Sequence, residues 1–306
     1  MPALVLWGTV AALLLTVLGG WVIGTERDRA AAGEPPPVTA GGTGTLSLPW
    51  PKSGQASVTY TGSGRSGSSG AQKPVPIASV TKVMTAHVIL ADHPLRDGET
   101  GPLITVDQQA ADESFSGVES TVPVEAGRQL SQRQLLEMLL LPSGNNVARL
   151  LARWDAGSES AFVAKMNRAA ADLGMKNTTY SDASGFAPTT TSTSDDQLRL
   201  ARQVMRDKAF RAIVATREVA IGGVTGTIAN TNKLLGTSGV IGGKTGSSTP
   251  AGGALMWAAT DGQGAKAGLI LGVVLHQRPN TTPAEGLGAA FDATEVLVTA
   301  ARRGGH

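Results

Sequence analysis

Residues 77–90 read IASVTKVMTAHVIL. From Val83 onward the stretch is apolar enough to be a buried helix, yet it opens on Ser79-Val-Thr-Lys82, with a lysine three positions after a serine. On a helix, positions i and i+3 share a face, so this spacing brings the amine within reach of the hydroxyl. A hydroxyl is a weak nucleophile until a base takes its proton. Lysine can be that base only where desolvation or a nearby cation lowers its pKa. A serine near a helix N-terminus also gains from the dipole as negative charge develops. Taken alone, the same residues read equally as an N-cap serine beside a solvated lysine.

Two further stretches bear on the choice. LLLPSGNNVARLL (139–151) places Ser143-Gly-Asn145 in a turn after a helix that Pro142 stops; alone it is an ordinary loop. GVIGGKTGSS (239–248) places Lys244-Thr245-Gly246 at the end of a glycine-rich apolar strand, where a ligand backbone can approach closely. Alone, Lys244 is an edge gatekeeper. Ser-x-x-Lys, Ser-x-Asn and Lys-Thr-Gly each occur once in the chain, in that order.

Together the three motifs resemble those of the penicillin-recognising serine enzymes: DD-peptidases, penicillin-binding proteins and serine β-lactamases. PIASVTKVMTA, the leucine-rich helix before SGN, FVAKMNRAAADLGMKNTTY (162–180), TNKLLG (231–236) and GGKTGSSTPAGGAL (242–255) are similar to the low-molecular-mass D-alanyl-D-alanine carboxypeptidases. The resemblance runs from about Ala56 to Ala301. It implies an α+β fold of the DD-peptidase/β-lactamase kind: a five-stranded antiparallel sheet flanked by helices, with an all-helical insertion at about 92–216 and the site in the cleft between. It implies that Ser79 attacks the D-Ala–D-Ala peptide carbonyl of a peptidoglycan stem peptide, releases D-alanine and holds the remainder as an acyl-ester that water hydrolyses. Lys82 is then the general base, with Ser143 and Lys244 completing a proton relay. Asn145 bonds Lys82 and the substrate amide, and Lys244 and Thr245 engage the terminal carboxylate. Gly246 completes that third motif in the substrate-binding strand, and the backbone N–H groups of Ser79 and Ser247 form the oxyanion hole. Lys244 is expected to keep Lys82 deprotonated by like-charge repulsion. β-Lactams would be trapped as esters. No metal or organic cofactor is implied.

Competing chemistries fit less well. A class A β-lactamase uses a Glu-x-x-Leu-Asn glutamate after the second motif, and no glutamate occurs between Ser160 and Arg217. Neither Tyr60 nor Tyr180 begins the Tyr-x-Asn of class C enzymes, and no Gly-x-Ser-x-Gly elbow is present. Two readings stay open beside the carboxypeptidase: endopeptidase action on peptidoglycan cross-links, and a membrane-tethered penicillin or muropeptide sensor with little turnover. Arg217 and Lys233 are candidate carboxylate helpers that read more simply as solvated charges.

Composition narrows the classes further. A net charge of +2 without a basic run argues against nucleic-acid binding. The absence of cysteine excludes disulfides and thiol catalysis, and four scattered histidines lack ligand spacing. Ala3–Ile23 is long and apolar enough for a transmembrane anchor, although a signal cleaved near Ala30-Ala31-Ala32 also fits. Arg27 and Arg29 after the span leave its orientation ambiguous. Residues 26–54 read as a Pro/Gly-rich linker and 55–303 as the catalytic domain. Within it, patterning predicts a strand at 56–61, a floppy tip at GSGRSGSSG, and a helix with a capping box at Ser131. Further helices are expected over 158–173 and, from a Ser194 capping box, to about Lys208. Strands follow at 217–221, 226–230, 239–246, 252–260 and 265–276, then a helix over 284–302. The oligomeric state is left open.

Overall fold

The computed structural model describes residues 46–222, 224, 226–262 and 268–304. The Ala3–Ile23 span lies outside them, and among the described residues no helix is long and apolar enough to cross a membrane. The central sheet is formed by β1 (Gln55–Tyr60), β2 (Ser66–Ser69), β3 (Val240–Ser248), β4 (Gly252–Thr260) and β5 (Leu269–Gln277). Its order is β2-β1-β5-β4-β3 and every pairing is antiparallel. The helices are α1 (Lys82–Asp92), α2 (Gln108–Asp112), α3 (Gln132–Leu140), α4 (Asn145–Ala156), α5 (Glu159–Asp172), α6 (Ser194–Val204), α7 (Lys208–Val214) and α8 (Pro283–Arg303).

The sheet is covered on both faces, which explains why its long strands read as unbroken apolar runs instead of alternating ones. Side chains still alternate. Leu255, Trp257, Ala259, Ile270 and Val274 pack with Leu297, Val298 and Ala301 of α8. Ala254, Met256, Ala258, Leu271, Val273 and Leu275 join the larger core shared with the helical block. Lys244 stands opposite Met256 across the β3–β4 pair, so the two-residue period turns it toward the helical block. The helical block lies between β2 and β3 in sequence and carries short strand pairs of its own, such as Leu103–Thr105 with Gln129–Ser131.

Several local expectations are corrected. The Ser194 capping box is displaced by one residue: Thr193 caps α6 by accepting from the Asp196 N–H. Ser194 is instead the first helical residue, and its hydroxyl meets Ser57 and Gln72. That helix ends at Val204, and Asp207 caps a separate α7. The segments at 217–221 and 226–230 pair only with each other, outside the central sheet. Part of the glycine/serine tip is ordered as edge strand β2, because hydrogen bonding to β1 needs no apolar side chain.

The ordered packing also begins upstream of Gln55. Leu46 is buried in the cluster beneath α8, and Leu48 and Trp50 pack against it. A sparse Pro/Gly-rich composition hides these three anchors. Leu46→Ala is therefore expected to destabilise the domain by about 2–3 kcal/mol, the cost of truncating a buried leucine. At 2–4 °C per kcal/mol for a domain of this size, thermal unfolding followed by circular dichroism should show a Tm lower by roughly 4–12 °C; a mere linker residue would leave it unchanged.

Candidate active site

A 3₁₀ turn, Ala78–Thr81, carries Ser79 and runs directly into α1, so the nucleophile candidate and Lys82 sit on successive turns of one helical segment. Ser79 is half-exposed, while Lys82 is fully buried. Ala78 takes a left-handed φ of 45°, an uncommon conformation for a residue with a Cβ and a sign of local strain. Gly246 on β3 explains how the strand closes on this turn: a Cβ there would lie 2.9 Å from Val80 N and 3.1 Å from Ser79 N. No side chain fits between the third motif and the first.

Lys82 Nζ lies 2.8 Å from Ser79 Oγ and donates to Asn145 Oδ1 at 2.5 Å and to the Ser184 carbonyl at 2.7 Å. Asn145 is the first residue of α4, placed by the Ser143-Gly144 turn. The Ser184 carbonyl is aimed by the loop before α6, which Asp182 rivets. The Asp182 carboxylate accepts from the backbone of Ser184 and Phe186 and from the hydroxyls of Ser184 and Thr190.

Burial pushes Lys82 well below the usual ammonium range, and the positive charge of Lys244 adds to the shift; Asp182 opposes it, Arg149 adds to it and Glu119 opposes it. The expectation that Lys244 holds Lys82 neutral is thus met only in second place. Burial brings Lys244 itself down to about 7, so its repulsion fades as the pH rises past neutrality. Lys244 Nζ donates to the Thr245 carbonyl at 2.9 Å, and Thr245 Oγ1 shares a 2.6 Å hydrogen bond with Thr231.

Ser143 is brought to the same region but not into a closed relay. Its φ is 71°, and its buried Oγ makes no hydrogen bond. Ser247 lines an open cleft of about 640 Å³ together with Ser79, Asn145, Glu119, Val118 and Phe186. β3 is the edge strand on this side, so alternate backbone groups have no strand partner. Arg217 and Lys233 are exposed and lie outside this lining.

This arrangement can deliver a serine alkoxide equivalent to a carbonyl held against β3, which is the chemistry of an acyl-transferring serine peptidase. The D-alanyl-D-alanine carboxypeptidase profile (peptidase S11) matches residues 66–276. The chain belongs to that family. It is 34% identical over 209 residues to a D-alanyl-D-alanine carboxypeptidase of Streptomyces sp. strain K15, covering 63% of this chain and 71% of that one. A D-alanyl-D-alanine endopeptidase of Pseudomonas aeruginosa is 41% identical over 126 residues, 41% of this chain and 38% of its own. The crystal structure of the Streptomyces K15 DD-transpeptidase superposes with a TM-score of 0.72 at 27% identity, covering 84% of this chain and 99% of that one. The family fold expected from the motifs is therefore borne out.

The motifs did not reveal Glu119, Arg149, Asp182 or the Ser184 carbonyl. Arg149 falls four residues after Asn145 on one helix face, a signal available in principle. Asp182 in SDASG has the composition of a side-chain-braced turn. Glu119, in GVEST, has no patterning to mark it.

The two buried lysines make stability depend on pH. An unfolded lysine keeps its proton to about 10.4, whereas folded Lys244 loses it near 7. Between these values the unfolded state binds more protons, so stability rises with pH. Wild-type protein should gain about 2 kcal/mol more than Lys244→Met between pH 7 and pH 9 in urea unfolding, from the difference in bound protons. Equal gains would show that Lys244 is not buried as an amine.

Proposed function

We propose that Ser79, Lys82, Ser143, Asn145 and the Lys244–Ser247 strand together perform the carboxypeptidase reaction of the family, removing the terminal D-alanine from peptidoglycan stem peptides. The observation that carries this reading is the fully buried Lys82 amine 2.8 Å from Ser79 Oγ at the floor of an open cleft. The neutral amine takes the Ser79 proton as Oγ bonds to the peptide carbonyl carbon. The oxyanion is received by the backbone N–H groups of Ser79 and Ser247. As the tetrahedral intermediate collapses, the C–N bond breaks, and the proton passes from Lys82 through Ser143 to the leaving amine. The unpartnered, strained Ser143 hydroxyl suits that role, since a buried polar atom gains most from a partner that arrives only with substrate.

Before attack, Lys244 and Thr245 meet the terminal carboxylate, and the free edge of β3 pairs with the extended peptide. Water replaces D-alanine and hydrolyses the ester, with Lys82 again the base. β-Lactams enter the same site and persist as esters. Residues 1–25 tether the catalytic domain to the outer face of the cytoplasmic membrane, the side on which stem peptides lie. Val118 and Phe186, 83% and 55% exposed, form an apolar mouth that sheds water when a peptide covers it.

Incubating the protein with a pentapeptide ending in D-Ala–D-Ala should release one D-alanine per peptide. Ser79→Ala should lose both this release and labelling by a fluorescent penicillin, and Lys82→Ala should slow acylation by roughly 10²–10⁴-fold, the range for loss of a general base. Penicillin labelling without D-alanine release would instead favour a sensor. Cleavage confined to cross-linked muropeptides would favour the endopeptidase reading.

A further inference from the structure

The loop between Phe115 and α3 contributes one charged side chain to the cleft. Glu119 accepts from Asn145 Nδ2 at 2.6 Å through Oε2. Arg149 grips the same carboxylate with both terminal nitrogens, Nη1 to Oε2 at 3.2 Å and Nη2 to Oε1 at 2.8 Å. Its Nε donates to Glu113 at 2.7 Å. The loop is fixed independently of these charges. Asn145 N–H donates to the Ser120 carbonyl, and Asn146 exchanges hydrogen bonds with Val122 through both ends of its amide. Glu119 is thus held in place from three sides.

An ionised carboxylate accepts hydrogen bonds and donates none. Asn145 must therefore present its NH₂ to Glu119 and its Oδ1 to Lys82. Both Asn145 Oδ1 and the Ser184 carbonyl are acceptors only, at 2.5 and 2.7 Å from Nζ. A neutral lysine amine has two hydrogens and one lone pair. With both hydrogens taken, the lone pair is left for Ser79 Oγ at 2.8 Å, the orientation a general base requires.

We propose that Glu119 is a positioning residue for acylation: anchored by Arg149, its carboxylate fixes the Asn145 amide and so turns the lone pair of Lys82 toward Ser79. This rests on the reading of Lys82 as the base for Ser79. Glu119 is not itself the base. Burial alone would raise its carboxyl, but hydrogen bonds from Arg149 and Asn145, with the Arg149 charge, outweigh burial and hold it below the usual carboxylate range. The charged groups facing Lys82 are Lys244 from β3, Asp182 from the loop before α6, Arg149 from α4 and Glu119.

The test measures penicillin acylation rate against pH, with kcat and KM for D-alanine release. Glu119→Gln, which lets the Asn145 amide turn over, should lower acylation and kcat by roughly 10–100-fold, the cost of a misaligned catalytic group, with KM nearly unchanged. Its acid limb should move to lower pH, because a negative charge that favours protonated Lys82 is gone. Arg149→Met should move that limb the opposite way. Glu119→Gln should add little further loss in an Asn145→Ala background, since both act through one amide. Glu119→Asp keeps the charge with a shorter reach, so it should lose rate but hold the limb, and it gives the same test should Glu119→Gln fold poorly. Wild-type acylation rates in either Glu119 variant, an unmoved limb in Glu119→Gln, or full additivity with Asn145→Ala, would overturn the proposal. Labelling that survives in Ser79→Ala would overturn the nucleophile assignment instead, a separate result.

Discussion

A lysine amine carried into a protein interior has two fates: it finds a counter-charge or it gives up its proton. Lys82 is fully buried, and the oxygens touching it belong to a hydroxyl, an amide and a backbone carbonyl, none of them a carboxylate. Much of the surrounding architecture follows from supplying those three oxygens. The 3₁₀ turn entering α1 brings Ser79, the start of α4 brings Asn145, and the Asp182-braced loop brings Ser184. Each comes from a different segment of the helical block, so these three contacts exist only when those segments have packed against one another.

The second lysine approaches from that sheet. Two buried ammonium groups side by side would cost several kcal/mol each in desolvation before any mutual repulsion. Lys244 at about 7 is half protonated at neutral pH, so it can present positive charge to a carboxylate and lose it again. Under the proposed function, this sensitivity to burial suits a group that meets a substrate carboxylate without permanently disturbing Lys82. Arg149 cannot make this accommodation, because a guanidinium stays protonated. Its charge is instead neutralised at source by Glu113 and Glu119. The fixed charges of Arg149, Glu113 and Glu119 are thus paired among themselves, Asp182 is held by hydroxyls and backbone N–H groups, and Lys244 alone among the described groups facing Lys82 can gain or lose its charge near neutrality.

How much of this is legible in the chain depends on whether a residue's role is local. Ser79 and Lys82 are three apart on one helix, and Lys-Thr-Gly occupies one strand, so their order and spacing carry the family and fold. The Ser131 capping box is equally local and is found where the pattern places it. The Ser194 box differs by one residue because Ser194 is held by Ser57 of β1 and by Gln72 in the loop after β2, both far earlier in the chain. Leu46 and Trp50 sit in a composition that looks unable to bury anything, yet α8 and the sheet offer them a partner more than 200 residues away. Glu119 is the extreme case. Its partner residues lie 26 and 30 positions on, and nothing in GVEST distinguishes a structural acid from a solvated one.

That acid also bears on what the site does with a bound ester. A carboxylate beside a catalytic serine can orient the acylating base or activate a deacylating water, and its partners decide which. A water-activating carboxylate needs an affinity for protons close to neutrality. Glu119 accepts three hydrogen bonds from a guanidinium and an amide, and its proton affinity is lowered by them. Arg149 therefore does more than neutralise charge: it helps keep Glu119 ionised, which suits the proposed orienting role and, under the proposed function, leaves water activation to Lys82. A peptide ester, whose departing D-alanine vacates space for water, can be cleared by that one base. A β-lactam ester keeps its leaving group tethered where the water must enter, and the same base then works against an obstructed approach.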